Sequence, residues 1–423
     1  MRLFASLVRE GRWLCATLDS AQPECKSLPR SDLRLQKIPV GPVAVFGASN
    51  FPLASSVAGG DTAAAFAASC PVVVKSHPAH LGTSELVGRA VQKAVADSGL
   101  PEGVFSLVVG AGNAIGEALV AHPAIQAVGF TGSRRGGLAL VDIASKRPVP
   151  IPVFAEMSSV NPVFALPHAL ETRGDTLATA YIDSVTLGVG QFCTNPGLVI
   201  ALENSDSDDF IEHAAAALEK KGTQSMLTAG IAAAYADGIE HRDATAKRIA
   251  TGTKNDASSG ALPVLYCVSA QEFLAKPQLA EEIFWPTSVI VVCRDEDEMI
   301  AVARHLEGQL TATLLIEKDD IELARWLLPV LERKAGRILA NGFPTGVEVS
   351  YAMMHGGPYP ATSDSRSTSV GAMARFLRPV CYQDLPATLL PEALADQPLV
   401  AVAVAGWRTG AELKQSVNYL CGE

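Results

Sequence analysis

The chain has 423 residues, 48% hydrophobic and 18% charged, with a formal net charge of −10. That length argues for two or three domains, and the hydrophobic share speaks against a disordered or fibrous chain. The acidic balance argues against nucleic acid or an anionic membrane as partner, and no apolar run is long enough to span a bilayer.

In chain order, the first segment is amphipathic and broken by Arg9, Glu10 and Arg12, so it does not read as a secretory leader. Residues 20–38, rich in Pro, Lys, Arg and Ser, read as an extended arm. From Val43 a regular alternation sets in. Apolar runs near 43–46, 71–75, 105–109, 127–130 and 152–155 are separated by helical stretches near 54–69, 86–98 and 115–121. Continuous apolar strands alternating with amphipathic helices predict a doubly wound parallel α/β domain, whose ligands bind at the carboxyl ends of the strands. A second α/β pattern fills about 158–350, with strands expected at 198–202, 262–268, 288–292 and 312–316 and helices near 207–220 and 295–306. The eight cysteines are scattered without a Cys-x-x-Cys pair. That fits neither a disulfide framework nor a zinc site, and it suggests a reducing, cytoplasmic setting with no metal.

The oddities fall at strand ends. Asn50 follows the first run, and by default it is a turn former. Its amide could instead donate to a developing oxyanion. Lys75 closes the second run, followed by His77 and His80; a proline lies between these two histidines, so they are not read as a metal pair. Gly110-Ala-Gly112-Asn-Ala-Ile-Gly116 imitates a dinucleotide fingerprint, but its third glycine comes one place late and a tight strand-to-helix turn explains it equally well. Phe130-Thr-Gly132-Ser133-Arg-Arg-Gly-Gly137 is the better phosphate turn, with free backbone N–H groups at a helix start. Glu156 ends the fifth run. Such a carboxylate is usually structural; in a cleft, desolvation makes it a general base. Cys193 sits in Gly190-Gln-Phe-Cys-Thr-Asn-Pro-Gly197, where an isolated cysteine is more often inert packing than a nucleophile.

Asn50, Lys75, Gly132 to Gly137, Glu156, Cys193 and Glu282 in this order resemble the aldehyde dehydrogenase superfamily, from about Val40 to Pro379. The resemblance implies Cys193 as nucleophile, Glu156 as general base and Asn50 as oxyanion donor. It further implies nucleotide contacts from Lys75, His77, Gly132, Ser133, Gly137 and Glu282, the last on the nicotinamide ribose. Many NAD-specific members carry a glutamate three residues after the strand lysine, where this chain has Pro78, so NADP is the expected cofactor, with NAD possible. Glu-Met-Ser-Ser-Val-Asn-Pro, Trp285 and Met-His-Gly-Gly-Pro-Tyr-Pro (354–360) are similar to the α-ketoglutaric semialdehyde dehydrogenase branch, which oxidises 2,5-dioxopentanoate to 2-oxoglutarate. The NADP-dependent fatty aldehyde dehydrogenase branch is the nearest alternative. A CoA-acylating reductase and a catalytically silent scaffold are further ones.

The family implies a cofactor domain over 1–157, shorter at its N-terminus than in relatives, and a catalytic domain over 158–358. It implies a return segment over 359–390 and a tail over 391–423 without readable pattern. It also implies a homodimer or homotetramer formed through the arm at 20–38 and a late strand near 370–380.

Overall fold

The computed structural model describes residues 1–254, 260–346 and 348–395. Most of the tail assigned to 391–423 therefore lies outside the described residues. Two parallel sheets form the body. The first has five strands in the spatial order Phe105–Val108, Val72–Lys75, Val43–Phe46, Ala127–Thr131 and Val153–Glu156. All neighbours in it are parallel. The chain winds outward from Val43–Phe46 on one side and then restarts at Ala127–Thr131 on the other. The point of reversal lies between these two strands, where ligands of open α/β sheets sit. Asn50 and the Gly132 turn follow them.

Each of the five strands lies within about one residue of its apolar run, because strands covered on both faces carry no polar alternation. The helix expected over 54–69 is shorter, Gly60–Ala67, because the preceding residues form tight turns. A Cβ on Gly59 would meet the Ser56 nitrogen at 2.6 Å and the Ala54 oxygen at 2.7 Å. The Gly110 to Gly116 stretch is a strand-to-helix turn at the edge of the sheet, away from the reversal.

The second sheet has seven strands, in the order Lys247–Thr251, Val264–Ser269, Thr287–Cys293, Leu198–Leu202, Val163–Ala165, Gln309–Leu315 and Ala335–Ala340. Only its first pair is antiparallel. Helix starts here are written locally: Asn204 and Ser207 cap Ser205–Glu219 reciprocally, and Ser269 with Glu272 does the same for Ala270–Ala275. The core on one face gathers Phe164, Ile200, Tyr266 and Phe273, and on the other Tyr181 stacks between Phe210 and Phe343.

The strand part of the expected arm is Leu33–Pro39. It joins Thr17–Asp19 and Leu377–Gln383 in a small antiparallel sheet, so the arm and the late strand pair with each other inside one chain. The first segment forms the helix Arg2–Glu10, with Phe4 and Leu7 buried in the core of the first sheet. No helix among the described residues is long and apolar enough to cross a membrane.

Candidate active site

Glu156 is the last residue of the outer strand Val153–Glu156, whose free edge would be an exposed row of backbone groups. The return segment covers it. Ser363 N–H donates to Ala155 O at 2.9 Å and Met157 N–H to Ala361 O at 2.8 Å, and Glu156 bridges Thr362. This docking carries two side chains onto the carboxylate. His355 Nε2 lies 3.0 Å from Glu156 Oε1, and Ser367 Oγ donates to Glu156 Oε2. The same His355 Nε2 is 3.4 Å from Cys193 Sγ. The three residues Cys193, His355 and Glu156 thus form one line, with Ser367 closing its far end.

The charges fit that line. Burial would push the Glu156 carboxyl up, but the facing His355 charge, its hydrogen bond and the Ser367 hydroxyl more than compensate, leaving it below the ordinary carboxylate value. Burial works against a charged His355, yet Glu156 and then Cys193 raise it well above the usual imidazole value. Among the described residues, Nδ1 of that ring is buried without a hydrogen-bond partner, so it is Nε2 that ties the ring to its neighbours there. The thiol, imidazole and carboxylate donor atoms lie within 4.8 Å of one another. That donor set would suit a thiophilic cation as well as thiol chemistry, although the sequence carries no metal motif.

The loop bearing Cys193 is fixed from both sides. Asn50 Nδ2 donates to Gln191 O at 2.8 Å, so this expected oxyanion donor already engages the loop and has one amide hydrogen left. From below, Asn161 Nδ2 donates to the carbonyls of Cys193 and Asn195, each at 2.9 Å. Gln309 Oε1 in turn accepts from Ser159 Oγ and from the Val160 and Asn161 N–H groups. Gly190 has φ +67, and a Cβ there would meet Trp285 C and Pro286 N at 2.5 Å. The loop bearing Cys193 can lie against Trp285 only because residue 190 is glycine.

Glu282 joins the same locality. Burial pushes its carboxyl up to about 8, a Ser159 N–H works against this, and the Glu156 charge adds to it. Arg242 holds its loop by donating to Leu279 O and Glu281 O, both at 2.8 Å. At the reversal point, Ser133 caps the helix Arg134–Ser145 by accepting from Gly136 N–H, and Gly132 N–H donates to Glu156 O at 3.1 Å. The Arg134 and Arg135 N–H groups remain at the helix start as donors for a phosphate. Gly137 serves packing: a Cβ on it would meet Met157 Sδ at 2.8 Å.

Lys75 is half-buried, which lowers its ammonium pKa. His77 is a cap, with Nδ1 accepting from Ala79 N–H at 3.1 Å. Burial, His80 and Lys75 bring it down to about 4, so at neutral pH it is uncharged and the cationic role at this turn falls to Lys75. A helix start, a lysine and a carboxyl are the kinds of group that suit a dinucleotide. Arg134 is engaged by Glu307 at 2.8 and 3.2 Å and lies over the Tyr359 ring.

The sequence pattern sets His355 in the 354–360 segment but points to no role for His355 or Ser367. Their neighbours lie 162 and 211 residues away in the chain, so no local spacing could have shown the contact.

A fold of this kind, with a thiol and a glutamate held across it, defines a thiol-dependent dehydrogenase. Residues 5–359 match the Aldehyde dehydrogenase family, and the chain belongs to it. Over 409 residues it is 62% identical to an α-ketoglutaric semialdehyde dehydrogenase 2 of Azospirillum brasilense, covering 95% of this chain and 77% of the relative. The corresponding enzyme of Acinetobacter baylyi is 50% identical over 401 residues, covering 94% and 76%. Among solved structures, the glyceraldehyde-3-phosphate dehydrogenase GapN of Methanocaldococcus jannaschii, complexed with NADP, superposes with a TM-score of 0.74 at 20% identity, covering 90% of this chain and 79% of that one. A γ-glutamyl-γ-aminobutyraldehyde dehydrogenase of Burkholderia cenocepacia gives a TM-score of 0.73 at 22% identity, covering 90% and 73%. These two show the same fold.

Proposed function

We propose that this chain oxidises 2,5-dioxopentanoate to 2-oxoglutarate with NADP as the preferred nucleotide. The observation that carries the chemistry is the unbroken line from Cys193 Sγ through His355 Nε2 to Glu156 Oε1, at 3.4 and 3.0 Å. The substrate rests on the two semialdehyde dehydrogenase relatives.

In this reading Cys193 Sγ bonds to the aldehyde carbon, and the proton that the sulphur gives up resides on His355 Nε2. The remaining Asn50 amide hydrogen and the Cys193 N–H stabilise the oxyanion. When bound, the nicotinamide supplies the hydride acceptor that takes the adduct to a thioester. Arg134 and Arg135 N–H groups, Lys75 and Glu282 are the groups that hold the dinucleotide. Glu156, ionised and oriented by His355 and Ser367, then takes a proton from the water that attacks the thioester carbonyl. The C–S bond breaks, the sulphur is reprotonated and the acid leaves.

NADP is favoured because Lys75-Ser-His-Pro-Ala-His80 carries a lysine and no carboxylate at the turn that the resemblance assigns to the adenosine ribose. The small antiparallel sheet formed by the arm and the late strand exposes much of its surface, which supports a homodimer or homotetramer. A cytoplasmic site of action is consistent with the scattered free thiols.

The test is formation of reduced nucleotide from 2,5-dioxopentanoate with NADP and with NAD, with Cys193→Ala as control and hexanal as comparison. Turnover that the mutant loses, and that is greater for the oxo-acid, is the expected result. A clear preference for hexanal would transfer the chain to the fatty aldehyde branch, and a well-folded chain without turnover would refute the reading.

A further inference from the structure

We propose that Arg337 is the anchor for the carboxylate at the far end of the substrate, and so sets specificity for acidic semialdehydes. This rests on the substrate reading above. Arg337 lies on the strand Ala335–Ala340, directly opposite Thr311 on Gln309–Leu315. Residues paired across two strands project from the same face of the sheet. Thr311 Oγ1 donates to Asn161 Oδ1 at 3.0 Å, and Asn161 in turn holds the Cys193 carbonyl. Arg337 therefore rises from the face that supports the nucleophile loop. The residue before it binds the other side of the site: a Cβ on Gly336 would fall 2.1 Å from Gly356 O, which presses this strand against the loop carrying His355.

The guanidinium is poorly satisfied for its setting. Among the described residues it makes one hydrogen bond, Nη2 donating to Pro344 O at 3.0 Å, and its buried Nε has no partner there. Among the described residues no carboxylate lies within ion-pair distance of it. Half-buried Arg173 holds Glu317 and Asn341, each at 2.6 Å, and the more deeply buried Arg375 and Arg242 hold Asp61 at 2.6 Å and two carbonyls respectively. Burial lowers the pKa of Arg337, and the Cys193 sulphur is the one acidic group that acts against this. Arg337 is half-buried, a partly desolvated guanidinium gains from an anion, and its fork matches a carboxylate bidentately. An aldehyde that carries a carboxylate supplies the missing anion while its carbonyl meets Cys193. A neutral aldehyde cannot.

The experiment compares kcat/KM for 2,5-dioxopentanoate and for hexanal in wild type, Arg337→Met and Arg337→Lys, each checked for a cooperative melt. A charge-assisted contact of this kind predicts a loss of about 30- to 100-fold for the oxo-acid in Arg337→Met, mainly in KM. The loss with hexanal is far smaller, and Arg337→Lys recovers part of the oxo-acid rate. If Arg337→Met does not fold, Arg337→Gln and Arg337→Lys carry the same comparison. Equal losses on both substrates would mean that Arg337 serves the sulphur or the fold, and no loss on the oxo-acid would mean that it serves neither end; both overturn the anchor. Failure of the substrate reading looks different, because wild type itself would then favour hexanal.

Discussion

Ser367→Ala probes the base through a single atom. The hydroxyl donates to Glu156 Oε2, and both residues are only 3% exposed, so water cannot replace the lost donor. A hydrogen bond to a buried charged group contributes about 1.5–3 kcal/mol. At about 1.36 kcal/mol per pKa unit, its loss moves the Glu156 carboxyl up by roughly one to two units. A base must be ionised to act, so the acid limb of thioester hydrolysis moves to higher pH by the same amount. The assay acylates Cys193 with p-nitrophenyl acetate in the absence of nucleotide and follows hydrolysis of the acyl-enzyme from about pH 3.5 to about pH 9, so that a limb below the ordinary carboxylate range is reached. Stability should change in the same sense. A carboxyl depressed in the folded chain contributes stability above its unfolded value, lost as pH falls through the folded one. The variant should therefore melt lower than wild type at neutral pH, with the gap narrowing in acid. An acid limb that stays in place, or one that survives in Glu156→Gln, would refute the assignment of Glu156 as base.

Two other perturbations are informative. Glu282 is half-buried with its carboxyl raised to about 8, so it is mostly protonated at neutral pH. If the ionised carboxylate accepts from ribose hydroxyls, nucleotide binding tightens by up to about tenfold between pH 7 and 9 and stays flat in Glu282→Gln, as titration calorimetry would show. The folded chain also keeps a proton that the unfolded chain releases, so the contribution of Glu282 to stability falls as pH rises from its unfolded value to about 8. Gly190→Ala places a Cβ at 2.5 Å from backbone at φ +67, and we expect a cost of about 1–3 kcal/mol together with a loss of turnover. An unchanged melting temperature and kcat would show that the loop has room to spare.

The strands around the cofactor turn were legible because buried parallel strands read as unbroken apolar runs, and Val72–Lys75 shows this well. Other elements gave no such signal. Val163–Ala165 has three residues, too few to stand out, and Ala229–Asp243 is an alanine-rich helix with little contrast between its faces. Ala335–Ala340 was also missed, although it carries Arg337. In the site, the local setting of Cys193, Glu156 and Asn50 at strand and loop ends left their roles open, and only the resemblance to the family proposed them. His355 and Ser367 reach Glu156 by docking of the return segment on a sheet edge, which local pattern does not encode. His77 shows the converse: its sequence position suggested a charge, whereas its burial and its capping bond leave it neutral.

The edge pairing between Glu156 and Thr362 also bears on synthesis. The base and the nucleophile leave the ribosome well before the segment that connects them. A nascent chain stopped short of His355 can shape much of both sheets while its thiol has no proton partner. The contact of His355 and Ser367 with Glu156 thus forms only after both sheets' strands have been made. A nick in the return segment is therefore expected to lower turnover more than it lowers the melting temperature.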